Sequence, residues 1–485
     1  MKNGIILFLL LVYGLGIFYV MRKPLPAGVG IAGEVRTVPA AAITFLADRT
    51  YVDAEGERHS DQQIFDEIVH MIRGAQEFIL VDMFLYNEFQ GDPPELQRAL
   101  ASELTAELIA AKRRNSGMTV VVVSDPINTV YGGAASPQFE ALREADVQVV
   151  LTDLTKLRDS NAAYGPLWRA GPRWLGNSVG GFLPHPLAAS GERVSVRSWL
   201  SLLNFKANHR KLIIADESAG LDPAGQPIVR LATLVTSANP HDGSSAHTNA
   251  AIKVGEQVWQ DVFDSEAAVA KFSGAQLPHS DLIRREFLGA TPVQLLTEGA
   301  IRDSSVELIN RAVAGDSIDI AMFYLSERSV VHSLIAASQR GVTIRLILDP
   351  NKDAFGRTKN GVPNRPVAHE LLRRGKDIQI RWCDTHGEQC HTKVLLFRLG
   401  KQHVLMTGSA NLTRRNISNY NLETNILVES AVAIPAITQA RSFFKEMWTN
   451  EQGRIFTTKY ETYADDSLLK TVMYRIQEAT GLSSF

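Results

Sequence analysis

Hydrophobic positions open the chain with an almost unbroken run from Gly4 to Met21, preceded by Lys2 and followed by Arg22 and Lys23. A helix crosses a bilayer with roughly 20 apolar residues, and about 17 suffice. Cleavable signal sequences have apolar cores of about 7–15 residues and small residues at the cut site. This run ends instead on the bulky Phe18, Tyr19, Val20 and Met21, with no polar face interrupting it. The pattern predicts an uncleaved transmembrane anchor over residues 1–23 rather than a signal sequence or a buried core helix. Residues 24–41, rich in Gly, Pro, Val and Ala, read as a linker.

Beyond the linker the pattern alternates between two periods. Ala42 to Leu46 reads as a strand, and Ile64, Ile68, Met71 and Ile72 recur at helical spacing between Asp61 and Arg73, with Asp61 as the expected cap. Phe78 to Tyr86 is a short continuous apolar run of the kind buried on both faces of a sheet. A helix around Leu96 to Arg113 and a strand from Met118 to Pro126 follow. Strands alternating with helices predict an α/β layered fold.

The same succession then returns. Ile79 to Glu88 (ILVDMFLYNE) aligns without a gap to Ile318 to Glu327 (IDIAMFYLSE), and Gly117 to Pro126 (GMTVVVVSDP) aligns to Gly341 to Pro350 (GVTIRLILDP). Asp146 to Val149 likewise matches Asp377 to Ile380. Several matches in one order predict an internal duplication. The first copy carries an extra segment near 154–200, with Trp168, Trp174, Leu175, Phe182, Leu183 and Trp199. It reads either as an irregular insertion packed on the surface or as a rim that meets acyl chains.

Composition narrows the function. The 485 residues carry a formal net charge of -2, with 45% hydrophobic and 21% charged residues. That is an ordinary globular balance, without the global basic field most nucleic-acid binders carry. The 2 cysteines are too few for a disulfide-built scaffold.

Each copy ends on the same chemistry. His209 and Lys211 alternate onto one face of a strand that continues to Asp216, and His391 and Lys393 do the same. Thr236-Ser237-Ala238-Asn239 follows the first pair and Gly408-Ser409-Ala410-Asn411 the second. Related by a pseudo-twofold axis, two imidazoles, two ammonium groups and two amides would converge on one pocket suited to a phosphodiester. The lysines and amides can hold the non-bridging oxygens, one neutral histidine can attack phosphorus, and the other can protonate the leaving oxygen.

This doubled His-x-Lys pattern resembles the phospholipase D superfamily, from about residue 42 to 455. The resemblance implies two duplicated α-β-α sandwich domains related by a pseudo-twofold axis. It divides the chain into an anchor (1–23), a linker (24–41), a first domain (42–285), a second domain (286–460) and a tail (461–485). It further implies a phosphohistidine intermediate without metal or other cofactor, with His209 as nucleophile and His391 as general acid. Lys211, Lys393, Asn239 and Asn411 match the phosphate-holding positions. Glu423 and Asn249 match the positions that orient a histidine, Glu423 serving His209 and Asn249 serving His391 if the pairing crosses between halves. Asp216 completes the first motif, whereas Arg398 stands where the second motif expects an acid.

The expected partners are a phospholipid substrate and a membrane, with no protein partner implied. The expected activity is phospholipid hydrolysis or phosphatidyl transfer. A nuclease of the same superfamily is the alternative, although the near-neutral charge argues against nucleic acid despite the Arg284-Arg285, Arg373-Arg374 and Arg414-Arg415 pairs. A non-catalytic scaffold would not need both histidines, both lysines and both asparagines. Cys383 and Cys390 read equally as a hairpin disulfide or as two thiols; a zinc site with His386 lacks an evident fourth ligand. Positive charges flank both ends of the anchor, so orientation rests on the short N-terminal tail and the disulfide reading, both of which favour an extracytoplasmic (periplasmic) catalytic region.

Overall fold

The computed structural model describes residues 2–221, 227–278 and 289–483. Arg284 and Arg285, and with them the expected boundary at 285, lie outside the described residues. Helix α1 (Lys2–Arg22) is the apolar run, long and apolar enough to cross a membrane and mostly exposed.

Two sheets form the body. The first takes β2 (Ile43–Val52), β3 (Arg58–Asp61), β4 (Phe78–Met83), β5 (Thr119–Ser124), β6 (Gln148–Leu151), β7 (Lys211–Leu221), β8 (Pro227–Thr236) and β9 (Asn249–Gly255), in the order β3-β2-β9-β8-β7-β4-β5-β6. The second takes β1 (Arg36–Val38), β10 (Thr291–Thr297), β11 (Ser317–Met322), β12 (Thr343–Leu348), β15 (Ile378–Cys383), β16 (Lys393–Leu399), β17 (Gln402–Gly408), β18 (Thr424–Ser430) and β19 (Thr457–Lys459), in the order β1-β10-β18-β17-β16-β11-β12-β15-β19. A separate hairpin joins β13 (Asp353–Ala354) and β14 (Arg357–Thr358). Setting aside the edge strands β1, β3 and β19, the two sheets have the same strand order. In both, the central pair is parallel (β4 with β5, β11 with β12) and the His-x-Lys strand runs antiparallel beside it (β7, β16).

The apolar runs dictate this layering. Every residue of β4 is buried, because helices cover one face and the other sheet covers the other. Ile64, Ile68 and Ile72 of helix α2 (Ile64–Gly74) pack with Leu104 and Leu108 of helix α3 (Leu100–Arg114) on the outer face of the first sheet. Leu308, Leu334 and Leu371 do the same behind the second sheet. Between the sheets, Leu80, Leu212 and Ile252 share one core with Leu396, Leu405 and Ile426.

Two expectations change. Asp61 does not cap α2; it ends β3, and the helix starts at Ile64 after Gln63, whose side chain makes no capping bond. The buried Asp48 carboxylate accepts from the Gln63 and Ile64 backbone N–H groups at 2.8 and 3.0 Å, so a residue from β2 satisfies the helix end. Within the expected linker, Arg36–Val38 adds a strand to β10, because the edge of that strand is open to pairing.

Candidate active site

The two motif strands place their histidines where the halves meet. Asn208 bridges to Leu422 in parallel, with the His209 N–H donating to the Leu422 carbonyl at 2.9 Å. Thr248 bridges to Cys390 in the same way, and the His391 N–H donates to the Thr248 carbonyl at 2.8 Å. Each bridge brings the residue one position past it onto the histidine of the other half. His209 Nδ1 lies 2.8 Å from Glu423 Oε1 and 3.0 Å from Oε2. His391 Nδ1 lies 3.2 Å from Asn249 Oδ1. The pairing therefore crosses.

Matching serines hold both orienting groups. Ser237 Oγ donates to Asn249 Oδ1 at 2.9 Å, and Ser409 Oγ donates to Glu423, which also accepts from Asn416 Nδ2. A carboxylate only accepts, so His209 carries its proton on Nδ1 and keeps a lone pair on Nε2. Asn249 Oδ1 already accepts from Ser237 and fixes His391 in the same tautomer.

The lysines lie beneath the histidines rather than on the cavity wall. Lys211 Nζ donates to the His209 carbonyl at 2.6 Å and lies 4.9 Å from the Phe84 ring centre; Lys393 Nζ donates to the His391 carbonyl at 2.9 Å and lies 5.3 Å from that of Phe323. Phe84 and Phe323 also pack on His209 and His391, at 4.7 and 4.9 Å between ring centres. His209, His391, Asn239 and Asn411 line one cavity of about 680 Å³. Phe84, Leu85, Ile127, Leu187, Leu202 and Phe205 give it an apolar side.

Asp216 is not part of this group. It sits midway along β7, level with the start of β4, and accepts from the Gln76, Glu77 and Phe78 backbone N–H groups at 2.8, 3.0 and 2.7 Å, fixing the entry to β4. In the second half Asp316, before β11, accepts from the Gly400 N–H at 2.7 Å after β16, so a carboxylate still ties this end of the sheet and Arg398 is free of that task. Phe84, Phe323 and the two serines were visible only as matching letters in the aligned segments. Arg210 gave no repeat signal, since Thr392 stands opposite it, yet it is fully buried between Glu266 and Glu298 at 2.8 and 2.9 Å.

Burial sets the protonation of the empty site. It pulls His209 down to about 4 against the attraction of Glu423, with Lys211 adding to the fall. It pulls Lys211 down to about 7, opposed by Glu423, Asp82 and Asp125. His391 and Lys393 also fall well below their ordinary values, through burial and then, respectively, the Lys393 and Lys211 charges. Burial pushes Glu423 up, but His209, Lys211 and Asn416 together hold it below the usual range. The site thus has room for a negative charge that would restore the missing protons. Phosphate binding at pH 8 is expected to take up protons, because Lys211 is mostly neutral there when the site is empty. Calorimetry in buffers of different ionisation enthalpy reads that uptake, and an uptake of zero would contradict it.

Cys383 and Cys390 are joined as a disulfide, Cα atoms 6.2 Å apart, which removes the zinc reading. Among the described residues no group of three or more His, Cys, Asp or Glu side chains is arranged to hold a metal ion. The inserted segment packs on the anchor: Tyr13 Oη donates to the Ala163 carbonyl at 2.8 Å, and Arg169 lies 5.2 Å from the Tyr19 ring centre. Trp174, Leu175 and Phe182 stay exposed, while Pro186, Leu187 and Ala189 reach the cavity.

Residues 306–448 match the family described as cardiolipin synthase, PLD-like domain. No curated protein sequence matches the chain. Phosphatidylserine synthase of Haemophilus influenzae Rd KW20 superimposes with a TM-score of 0.56 at 11% identity, over 97% of this chain and 98% of that one. Polyphosphate kinase from Porphyromonas gingivalis gives a TM-score of 0.45 at 15% identity, over 86% of this chain, which spans about half (51%) of that one. Nuc from Salmonella typhimurium, a phospholipase D family member, gives 0.26 at 18% identity, over 34% of this chain and 99% of that one. The segment 306–448 matches a phospholipase D-like domain, and the two-sheet fold is similar to that of the phosphatidylserine synthase.

Proposed function

We propose that the chain is a membrane-anchored phospholipid phosphodiesterase or phosphatidyltransferase working through a phosphohistidine. The observation that carries this reading is the crossed pair of histidines at one cavity, each with Nδ1 held by the opposite half. In the first step the His209 Nε2 lone pair forms a bond to phosphorus and the bond to the leaving oxygen breaks; His391, which takes up a second proton on Nε2 when the phosphate binds, gives that proton to the leaving oxygen. In the second step a water or alcohol oxygen attacks phosphorus, its proton passes to His391, and the P–N bond breaks. Glu423 stabilises the imidazolium character that His209 gains when it bonds to phosphorus. Lys211, Lys393, Asn239 and Asn411 offset the charge on the phosphoryl oxygens. No step in this scheme needs a metal.

The apolar side of the cavity, beside the segment that packs on the anchor, favours a lipid over a nucleic acid. We attribute the shared strand order to duplication, with one domain to each sheet and the break between β9 and β10. Helix α1 would hold both domains at the bilayer, and the disulfide favours an extracytoplasmic face.

Incubating the full chain with phosphatidylglycerol, phosphatidylethanolamine and single-stranded DNA tests the reading, with His209→Ala as control. Lipid products that vanish in the variant support it; nucleotide products that vanish would replace it with the nuclease. A Glu423→Gln variant should lose about 10²–10⁴-fold in kcat while remaining folded, since an amide can donate to Nδ1 and leave Nε2 without its lone pair. Unchanged turnover would remove Glu423 from the scheme.

A further inference from the structure

The C-terminal half of α1 does not stand clear of the body. A Cβ placed on Gly16 would come within 2.9 Å of Pro166 Cβ, so the anchor backbone lies directly on the short helix Tyr164–Ala170 of the inserted segment. Tyr13 and Tyr19 reach the two ends of that helix, at the Ala163 carbonyl and the Arg169 guanidinium. At ~1.5 Å per residue the apolar run from Gly4 to Met21 is about 27 Å long, barely the ~30 Å of a hydrocarbon core. A run with no length to spare cannot slide its contacts out into water. Gly16 lies about 7–8 Å, and Tyr13 about 12 Å, inside the run from its Met21 end. Whatever packs on them lies at the same depth.

The inserted segment suits that depth. Leu167, Trp174, Leu175, Val179 and Phe182 are exposed, Trp174 by 70%. No Asp or Glu occurs between Asn161 and Gly191, so no carboxylate has to be desolvated there. Arg169 and Arg173 lie over the Tyr19 and Trp174 rings, at 5.2 and 4.1 Å, as long cationic side chains do when they reach back to lipid headgroups.

The C-terminal helix Leu468–Thr480 continues the surface. Its Tyr474 and Glu478 point inward, to Glu370 and Ser326 at 2.9 and 2.8 Å. Leu468, Leu469, Val472 and Ile476 form an exposed stripe along the helix, the first two 75% and 77% exposed. This helix ends on the inserted segment. The Ala162 N–H donates to the Thr480 carbonyl at 3.3 Å, and a Cβ on Gly481 would overlap the Ser160 carbonyl. Ala162 directly precedes Ala163, whose carbonyl takes the anchor's Tyr13 hydroxyl.

We propose that the inserted segment and the C-terminal helix form one membrane-docking face around α1, seated in the headgroup and outer acyl region of the bilayer. Continuity with the anchor decides the occupant: a second copy could cover the helix Tyr164–Ala170 only by entering the bilayer itself. The inference rests on α1 spanning a membrane and not on the histidine scheme. It also places the cavity beside the bilayer surface. Leu187 of the inserted segment lines the cavity, as does Arg415, which donates to the Gly481 carbonyl at 3.3 Å.

The test uses the full chain in phosphatidylcholine vesicles, carrying one bimane-labelled cysteine from Leu10→Cys, Leu167→Cys, Leu469→Cys or Lys401→Cys. All four positions are exposed, and the native cysteines are buried in their disulfide and take no label. Lys401, in the turn between β16 and β17, lies at the far end of those strands from His391. Labels at Leu10, Leu167 and Leu469 should lose most of their emission to dibrominated phosphatidylcholine and little to iodide, with the reverse at Lys401. If Leu10 behaves so while iodide quenches Leu167 or Leu469 instead, the shared face is overturned and the anchor stands. A Leu469 label shielded from both reagents means that a second copy covers the C-terminal helix, which overturns the shared face as well. A Leu10 label open to iodide overturns anchor and face together.

Discussion

His209→Ala is expected to lower turnover by about 10⁴-fold or more, the largest functional loss of any single change in the chain. Its ring lines the cavity and is paired through Nδ1 to the Glu423 carboxylate. His391 has a neutral amide in the equivalent place. A carboxylate favours the imidazolium that a phosphorylated histidine resembles, whereas an amide orients without adding charge. The asymmetry separates the roles: His391→Ala should still accumulate phosphorylated enzyme from a substrate with a good leaving group, because that group departs without a proton, while His209→Ala should not. Acid-labile phosphate retained on His391→Ala and absent from His209→Ala is the expected outcome of a brief incubation with labelled substrate. The opposite pattern would exchange the two roles. Activity should also hold down to about pH 4 on the nucleophile side, since His209 stays neutral to about that value and gains its proton only below it.

Much of this arrangement was legible from the repeat. Pattern alone placed β4, β5, β11 and β12, because strands buried on both faces read as continuous apolar runs. It placed both motif lysines on strands, although β7 and β16 begin at Lys211 and Lys393 and the histidines lie just before them. Which acceptor serves which histidine was not legible, since spacing along the chain does not show what faces what across it. The answer lies in two isolated backbone bridges, Asn208 to Leu422 and Thr248 to Cys390, that belong to no regular strand. Asp216 belongs to the motif by spacing, but it lies midway along β7, where it binds the backbone at the start of β4 rather than the cavity. Arg36–Val38 is too short to signal a strand, and pairs only because the edge of β10 offers partners. The anchor's contacts with the inserted segment likewise depend on tertiary packing that no periodicity encodes.

Glu298→Ala should destabilise the fold more than any change in the cavity itself, by about 3–5 kcal/mol. Arg210 stands between His209 and Lys211 and is fully buried, its guanidinium shared by Glu266 and Glu298. Taking one carboxylate away leaves a buried positive charge half compensated. Glu298 does more than pair, since the same side chain accepts from the Glu423 N–H at 2.9 Å and from the Gly30 N–H at 2.5 Å. It therefore ties the first motif strand, the residue that orients His209 and the segment leading from the anchor to one point. For a chain of this length a loss of that size corresponds to about 3–5 °C in melting temperature. Turnover should fall as well at temperatures where the variant is folded, because Glu423 loses the bond that fixes its backbone. Arg210→Met combined with Glu266→Gln and Glu298→Gln should recover most of the melting temperature, since an uncharged set needs no compensation in a buried place, but not the activity. Recovery of both would mean the triad only fills space, and failure to recover either would mean that its geometry, rather than its charge balance, holds the halves together.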